Sequence, residues 1–395
     1  MSLNEKVSAE RLHIAFFGLR NAGKSSVVNA VTNQELSVVS DIKGTTTDPV
    51  KKAMELLPIG PVVIIDTAGI DDEGDLGELR VEKTRKTLNK TDIAVLVVDA
   101  TKGKQKEDFE LIEAFKKRSI PYIIAFNKCD LITEKQELKE NGIYISAKEN
   151  ININELKEII GKLSKTTENE KTLLGDIIKS GDTVVLVTPI DSSAPKGRLI
   201  LPQQQTIREL LDIGATAVVT KDTELEETLQ KFKKPPTLVI TDSQAFKKVS
   251  AIVPENVPLT SFSILFARYK GELWGAVNGA DKLDDLQDGD SILISEGCTH
   301  HRQCGDIGTE KLPEWIKNYT KKYINFDFTS GGDFPKDLKK YKLIIHCGAC
   351  MLTEREMKSR IALSGEQQIP LSNYGIIIAK INGILKRAVE PLKNR

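Results

Sequence analysis

Two groups of residues in this 395-residue sequence have types and spacings that can do chemistry. The first is Gly18-Leu19-Arg20-Asn21-Ala22-Gly23-Lys24-Ser25-Ser26, which fits G-x-x-x-x-G-K-[ST] between an apolar run, Ile14–Phe17, and a helix-like stretch, Ser26–Val31. In that setting the glycines let backbone N–H groups close around phosphate oxygens at the positive end of a helix. Lys24 is expected to reach the β- and γ-phosphates and Ser25 to bind Mg²⁺, with Asn21, Ala22, Gly23 and Ser26 completing the cradle. The second group is Cys298-Thr299-His300 together with His346-Cys347-Gly348-Ala349-Cys350. Two thiols three positions apart, a third cysteine and adjacent histidines point to one metal centre rather than to disulfides.

Three further motifs follow the phosphate loop, each after an apolar run. Asp66-Thr67-Ala68-Gly69 follows Val62–Ile65; Asp66 suits indirect Mg²⁺ binding, and the Gly69 N–H suits the γ-phosphate. Asn127-Lys128-Cys129-Asp130 follows Tyr122–Phe126. Asp130 can accept from both guanine N1–H and N2–H₂, which adenine does not offer, so the motif selects GTP over ATP, while Lys128 lies along the base. Ser146-Ala147-Lys148, after Ile143–Ile145, completes the base pocket, and Cys129 reads as a small buried residue.

The elements that must position these residues are strands alternating with amphipathic helices. The fold class is therefore α/β: a P-loop GTPase parallel sheet, with Ala94–Val98 as a further strand, followed by two smaller α/β domains. The expected division is residues 1–168, 169–264 and 265–395, with the charged stretch Lys165–Lys171 as the first linker. The middle region has strands at Thr183–Val187, Ala217–Val219 and Thr237–Ile240 and a helix at Gln204–Leu211. It carries no catalytic constellation and reads as an association module. Lys196 and Arg198, in the loop Pro189–Leu199, could bind an anion, but a rigid loop at a domain or subunit contact is the favoured reading. In the last region, strands at Ser291–Ser295 and Leu343–Ile345 put both cysteine sets at strand ends, where parallel sheets bind ligands. A helix expected at Leu352–Ala362 would lend its dipole to the thiolates. Spacing alone leaves the metal open: a Cys₃His zinc site, or a [4Fe–4S] cluster on Cys298, Cys347 and Cys350 with His300, His346, Glu296 or an exogenous group as fourth ligand. Cys304 stands outside this set.

Composition narrows the classes. Acidic and basic residues balance at 56 each, which argues against a general polyanion binder and makes nucleic acid an unexpected partner. No apolar run approaches the ~18 residues that span a bilayer, and the first residues lack a signal-peptide core. A cytoplasmic location is expected, with no membrane contact.

The stretch Asp41-Ile42-Lys43-Gly44-Thr45-Thr46-Thr47-Asp48-Pro49 resembles the G-T-T-x-D switch of the TrmE–Era class of GTPases. That resemblance implies that Thr46 closes on Mg²⁺ and γ-phosphate, with Thr45 as the near alternative. Ile70 follows Asp-Thr-Ala-Gly, so there is no Ras-type glutamine. Asn21 stands where potassium-stimulated members carry a K⁺ ligand, and Glu78 is the water-positioning candidate by analogy. The chain as a whole, with C-x-H, 45 intervening residues and H-C-x-x-C, resembles the [FeFe]-hydrogenase maturation GTPases, the HydF family. The resemblance extends to Ala194–Arg198. It implies a GTP/GDP- and Mg²⁺-dependent GTPase, with K⁺, whose [4Fe–4S] site maps onto Cys298, His300, His346, Cys347 and Cys350. It further implies a transient diiron precursor, a homodimer through the middle domain, and radical maturases and apo-[FeFe]-hydrogenase as partners. Two rival readings stand beside it: a GTP-regulated zinc protein acting as metallochaperone or sensor, and an RNA-associated TrmE–Era-type GTPase.

Overall fold

The computed structural model describes residues 11–34, 50–67, 83–133, 137–138, 141–167, 172–190, 199–297 and 306–393. Thr45, Thr46, Gly69, Glu78, Lys196, Arg198, Cys298, His300 and Cys304 lie outside them. The chain divides into two compact units, Met1–Glu170 and Lys171–Arg395.

The first unit is built on a six-stranded sheet ordered β2-β3-β1-β4-β5-β6. Its strands are β1 (Leu12–Gly18), β2 (Val50–Leu56), β3 (Gly60–Asp66), β4 (Ile93–Asp99), β5 (Tyr122–Asn127) and β6 (Gly142–Tyr144). β1, β3, β4, β5 and β6 run parallel, and β2 pairs antiparallel with β3. The parallel strands are continuous apolar runs because helices cover both faces. Ile14, Phe16, Val95 and Val97 face one core, and Ala15, Phe17, Leu96 and Val98 the other. β2 has no counterpart among the expected strands. Its Val-Lys-Lys-Ala-Met-Glu-Leu sequence is largely exposed and lacks the buried run by which the others are read. Helices α1 (Lys24–Thr32) and α3 (Ile153–Thr167) pack together, and α2 (Lys106–Lys117) lies along the chain between them.

The second unit holds two four-stranded, wholly parallel sheets. One is ordered β8-β7-β9-β10, from β7 (Thr183–Val187), β8 (Thr216–Thr220), β9 (Leu238–Thr241) and β10 (Leu259–Ser261). The other is ordered β12-β11-β13-β14, from β11 (Ser291–Ser295), β12 (Asn325–Thr329), β13 (Leu343–His346) and β14 (Leu371–Asn373). Taken in chain order the two arrangements are the same, second-first-third-fourth. Their hydrogen bonds correspond as well. Lys179 N–H donates to Asp182 Oδ2 and Gln287 N–H to Asp290 Oδ2, each at 2.8 Å. Val239 N–H donates to Pro258 O and Ile344 N–H to Pro370 O, each at 2.9 Å. Ser261 and Asn373 end the fourth strands and N-cap the helices that follow, α5 (Phe262–Lys270) and α7 (Tyr374–Ile381). One supersecondary unit is thus used twice. α5 packs against α7, and one hydrophobic core runs through both sheets, so residue 264, where a boundary is expected, lies inside α5.

Candidate nucleotide and thiol sites

The phosphate loop connects β1 to α1. Gly23 is left-handed at φ 83°, and a Cβ there would stand 2.2 Å from Asn127 Nδ2, so only glycine fits. Asn127 ties two motifs together: Nδ2 donates to Ala22 O at 2.9 Å, and Oδ1 accepts from Ala147 N–H at 3.0 Å. Lys24 forms an ion pair with Asp66, whose other oxygen accepts from Ser25 Oγ at 3.1 Å. The three groups expected around phosphate and Mg²⁺ are therefore already gathered. Ser26 lies in the first turn of α1.

At the base pocket, Lys128 is left-handed at φ 65°. Its ammonium donates to Asn21 O at 2.7 Å and to Asp99 Oδ2 at 2.6 Å. Asp99 also accepts from the Thr101 N–H and hydroxyl. Burial pushes the Asp99 carboxyl upward, but Lys128 and Thr101 outweigh it and hold the group below its ordinary value. Asp99 was not among the expected site residues. The signal for it is an acidic side chain ending an otherwise apolar strand. Asn21 is exposed with φ 61°, Cys129 is buried, and the Ser146 hydroxyl holds Asp130 below the ordinary carboxylate value. Lys148 is exposed and lies 3.5 Å from Glu149.

In the second unit, β11 and β13 are neighbours with Ser295 opposite His346. This register brings Gly297, the residue before Cys298, against the second cysteine set: Gly297 N–H donates to Cys347 Sγ at 3.0 Å. Ala349 N–H lies 3.4 Å from the same sulfur. The helix expected to open at Leu352 begins later. It is α6 (Glu354–Glu366), N-capped by Thr353, with Glu354 and Glu356 in its first turn. Its start is four residues past Cys350 and carries acidic side chains, so the donors at the Cys347 sulfur are main-chain N–H groups of the neighbouring loops rather than this helix's N-terminus. Burial pushes the Cys350 thiol up, and Lys270 works against that shift.

His346 is fully buried, with both ring nitrogens engaged: Nδ1 meets Cys347 O and Nε2 meets Arg360 Nη1, each pair at 2.9 Å. Arg360 also donates to Ser295 Oγ, Gly331 O and Glu356 Oε1. Burial first, and Arg360 second, push the imidazole pKa down to about 3. Glu296 is buried and accepts from the Tyr374 hydroxyl at 3.4 Å. Among the described residues no group of three or more His, Cys, Asp or Glu side chains forms a metal site.

The hydrogen maturase F dimerization domain matches residues 173–271, and the hydrogen maturase F tetramerization domain matches residues 274–391. The chain belongs to the hydrogen maturase F family. Ahead of these two, residues 13–128 match the family described as 50S ribosome-binding GTPase. The family's dimerization and tetramerization domains coincide with the two copies of the repeated unit. The tRNA modification GTPase MnmE of Desulforamulus reducens is 37% identical over 166 residues, covering 42% of this chain and 35% of that protein. MnmE of Helicobacter acinonychis is 42% identical over 127 residues, covering 32% of this chain and 28% of that protein. The chain thus spans about a third of the length of these curated relatives. Among solved structures, Aquifex aeolicus Era bound to GDP and AlF₄⁻ is 22% identical, with a TM-score of 0.35, over 53% of this chain and 92% of that one. The G domain of the T. maritima FeoB iron transporter is 20% identical, with a TM-score of 0.30, over 39% and 99%.

Proposed function

We propose that this hydrogen maturase F family member is a GTPase whose cysteine site is a [4Fe–4S] scaffold serving [FeFe]-hydrogenase maturation. GTP is read by Asp130, with Lys128, Asn127 and Ser146–Lys148 around the base. Lys24 stabilises charge on the β- and γ-phosphates, Ser25, Thr46 and Asp66 serve Mg²⁺, Gly69 meets the γ-phosphate, and Asn21 holds K⁺. Glu78 orients the water that attacks the γ-phosphorus, and the bond to the β–γ bridging oxygen breaks to release GDP and phosphate. The ion pair of Lys24 with Asp66 supports this reading, since bound phosphate and Mg²⁺ would take both partners over.

The observation that carries the cluster assignment is the Gly297 N–H bond to Cys347 Sγ, which brings the residue before Cys298 to the first cysteine of C-x-x-C. Soft thiols, main-chain N–H donors to sulfur and the nearby Lys270 fit an anionic iron–sulfur centre. Cys298, Cys347 and Cys350 would hold it, with His300, Glu296 or an exogenous group as fourth ligand; His346 serves only if it gives up Arg360. When bound, the cluster supplies an iron with an exchangeable position where a diiron precursor can dock as cargo. Nucleotide state then biases contacts with the radical maturases and the apo-hydrogenase. The working species is a homodimer in the cytoplasm. β8 supports the dimer, because it is an edge strand inside the dimerization match with no charged side chain and an exposed Val219.

Anaerobic purification followed by iron, sulfide and zinc analysis tests the cluster. About four iron and four sulfide per chain, lost in Cys347→Ala, are expected from the stoichiometry of the cluster. One zinc and no sulfide after anaerobic reconstitution would replace this reading with the zinc protein.

A further inference from the structure

We propose that Lys270 is the positioning residue of the thiol pair: it holds the Cys347–Leu352 turn in a left-handed conformation that the turn does not favour by itself. The inference rests on reading Cys347 and Cys350 as metal ligands. Ala349, between the two cysteines, has φ 54°, a region open to glycine but unfavourable for alanine. Within the turn, Leu352 N–H donates to Ala349 O at 3.1 Å and Ala349 N–H lies 3.4 Å from Cys347 Sγ, and a further support comes from outside it. Lys270, the last residue of α5, is buried, and its ammonium donates to Cys350 O at 3.0 Å and Leu352 O at 2.9 Å, with Ala349 O at 3.4 Å. Three successive donors on one ammonium match three convergent carbonyls, which a neutral apolar side chain cannot satisfy.

The repeated unit supplies an internal comparison. Its fourth strands, β10 and β14, and the helices after them align with a constant offset, so Ser261 matches Asn373 and Lys270 matches Asn382. Asn382 donates to Ile378 O, within its own segment of chain. After β9, the equivalent of β13, the sequence is Asp242-Ser243-Gln244-Ala245, without thiols. The lysine is found only in the copy whose helix faces cysteines. Lys270 also lies with Phe266, Cys347, Met357 and Ile361 around a small, partly open cavity of about 20 Å³.

The test uses apo full-length protein under anaerobic conditions, titrated with Co²⁺ and followed by thiolate-to-cobalt charge-transfer absorption. The variants are Lys270→Met, Ala349→Gly and the double variant. Lys270→Met should weaken Co²⁺ binding on the order of tenfold, and adding Ala349→Gly should restore most of it, because glycine adopts φ 54° without help. Co²⁺ binding by Lys270→Met at wild-type affinity would overturn the inference. Loss without rescue by Ala349→Gly would also overturn it, because Lys270 would then act by charge or bulk packing. Absence of the charge-transfer band in the wild type would remove the metal reading itself, and this inference with it. A thermal melt checks that Lys270→Met folds. If it does not, Lys270→Gln with and without Ala349→Gly makes the same comparison.

Discussion

Arg360 Nη1 lies 2.9 Å from His346 Nε2, with both side chains buried. Because the guanidinium has only donors, Nε2 must accept, and Nδ1 carries the hydrogen donated to Cys347 O. One buried arginine therefore sets the histidine tautomer and, through it, the carbonyl orientation at the first cysteine of C-x-x-C. Glu356 pairs with Arg360 from one turn earlier on the same helix, which keeps the buried cation compensated.

This arrangement makes stability depend on pH. His346 is neutral in the folded chain down to about pH 3, whereas an unfolded histidine takes up a proton near 6.5. Between those values the unfolded state binds more protons, so stability falls as pH drops and is insensitive to this group above ~7. The slope approaches about 1.4 kcal/mol per pH unit. Both tryptophans, Trp274 and Trp315, lie in the second unit and report its unfolding. Their fluorescence in urea should give a midpoint that falls from pH 7 to pH 5. His346→Gln, which keeps an acceptor for Arg360 but cannot titrate, should flatten that fall.

Asp66 pairs with Lys24, and it is also the expected indirect Mg²⁺ partner. Asp66→Asn should therefore release Lys24 while removing the metal contact. Fluorescent GDP titrations should show affinity in EDTA equal to or above wild type. The tightening produced by Mg²⁺ should shrink by about tenfold, in line with the loss of one charged contact. Unchanged Mg²⁺ dependence would contradict the role given to Asp66.

Base selection should reside in Asp130. Asparagine there keeps one acceptor and presents a donor to guanine N1–H or N2–H₂, so one guanine donor is left unpaired. GTP binding should fall by at least about 100-fold and xanthine nucleotides should gain, as expected for a pocket built around specific hydrogen bonds. Competition of GTP against XTP in a hydrolysis assay checks this. The Asp99 carboxylate acts one step removed: Asp99→Asn should raise KM for GTP several-fold with kcat little changed, because Lys128 loses its ionic partner.

If β8 is the dimer edge, Val219→Lys should convert dimers to monomers in light scattering without altering the melting of the second unit. Val219 is 45% exposed, so the lysine costs the monomer little, but it places charge on the edge a second strand would join. A dimer that persists would move the contact to another surface.

The sequence by itself determined the chemistry of the first unit. Phosphate loop, Asp66 and Asn127–Asp130 are local motifs, each attached to a strand end by a few residues, and fully buried parallel strands advertise themselves as apolar runs. It also singled out two cysteine sets, and the register of β11 and β13 brings Gly297, the residue before one set, to Cys347 of the other. The tertiary structure alone decided what surrounds them. β2, β10, β12 and β14 are short or half-exposed edges that get their conformation from a neighbour's hydrogen bonds rather than from a pattern of their own. The doubling of the four-stranded unit is carried by strand order and equivalent backbone bonds, which different side chains support equally well. Lys270 and Arg360 look in sequence like two more cations among 56. They become the supports of the thiol turn and of His346 because folding brings side chains from separate helices to one strand end and removes the water that would otherwise satisfy them.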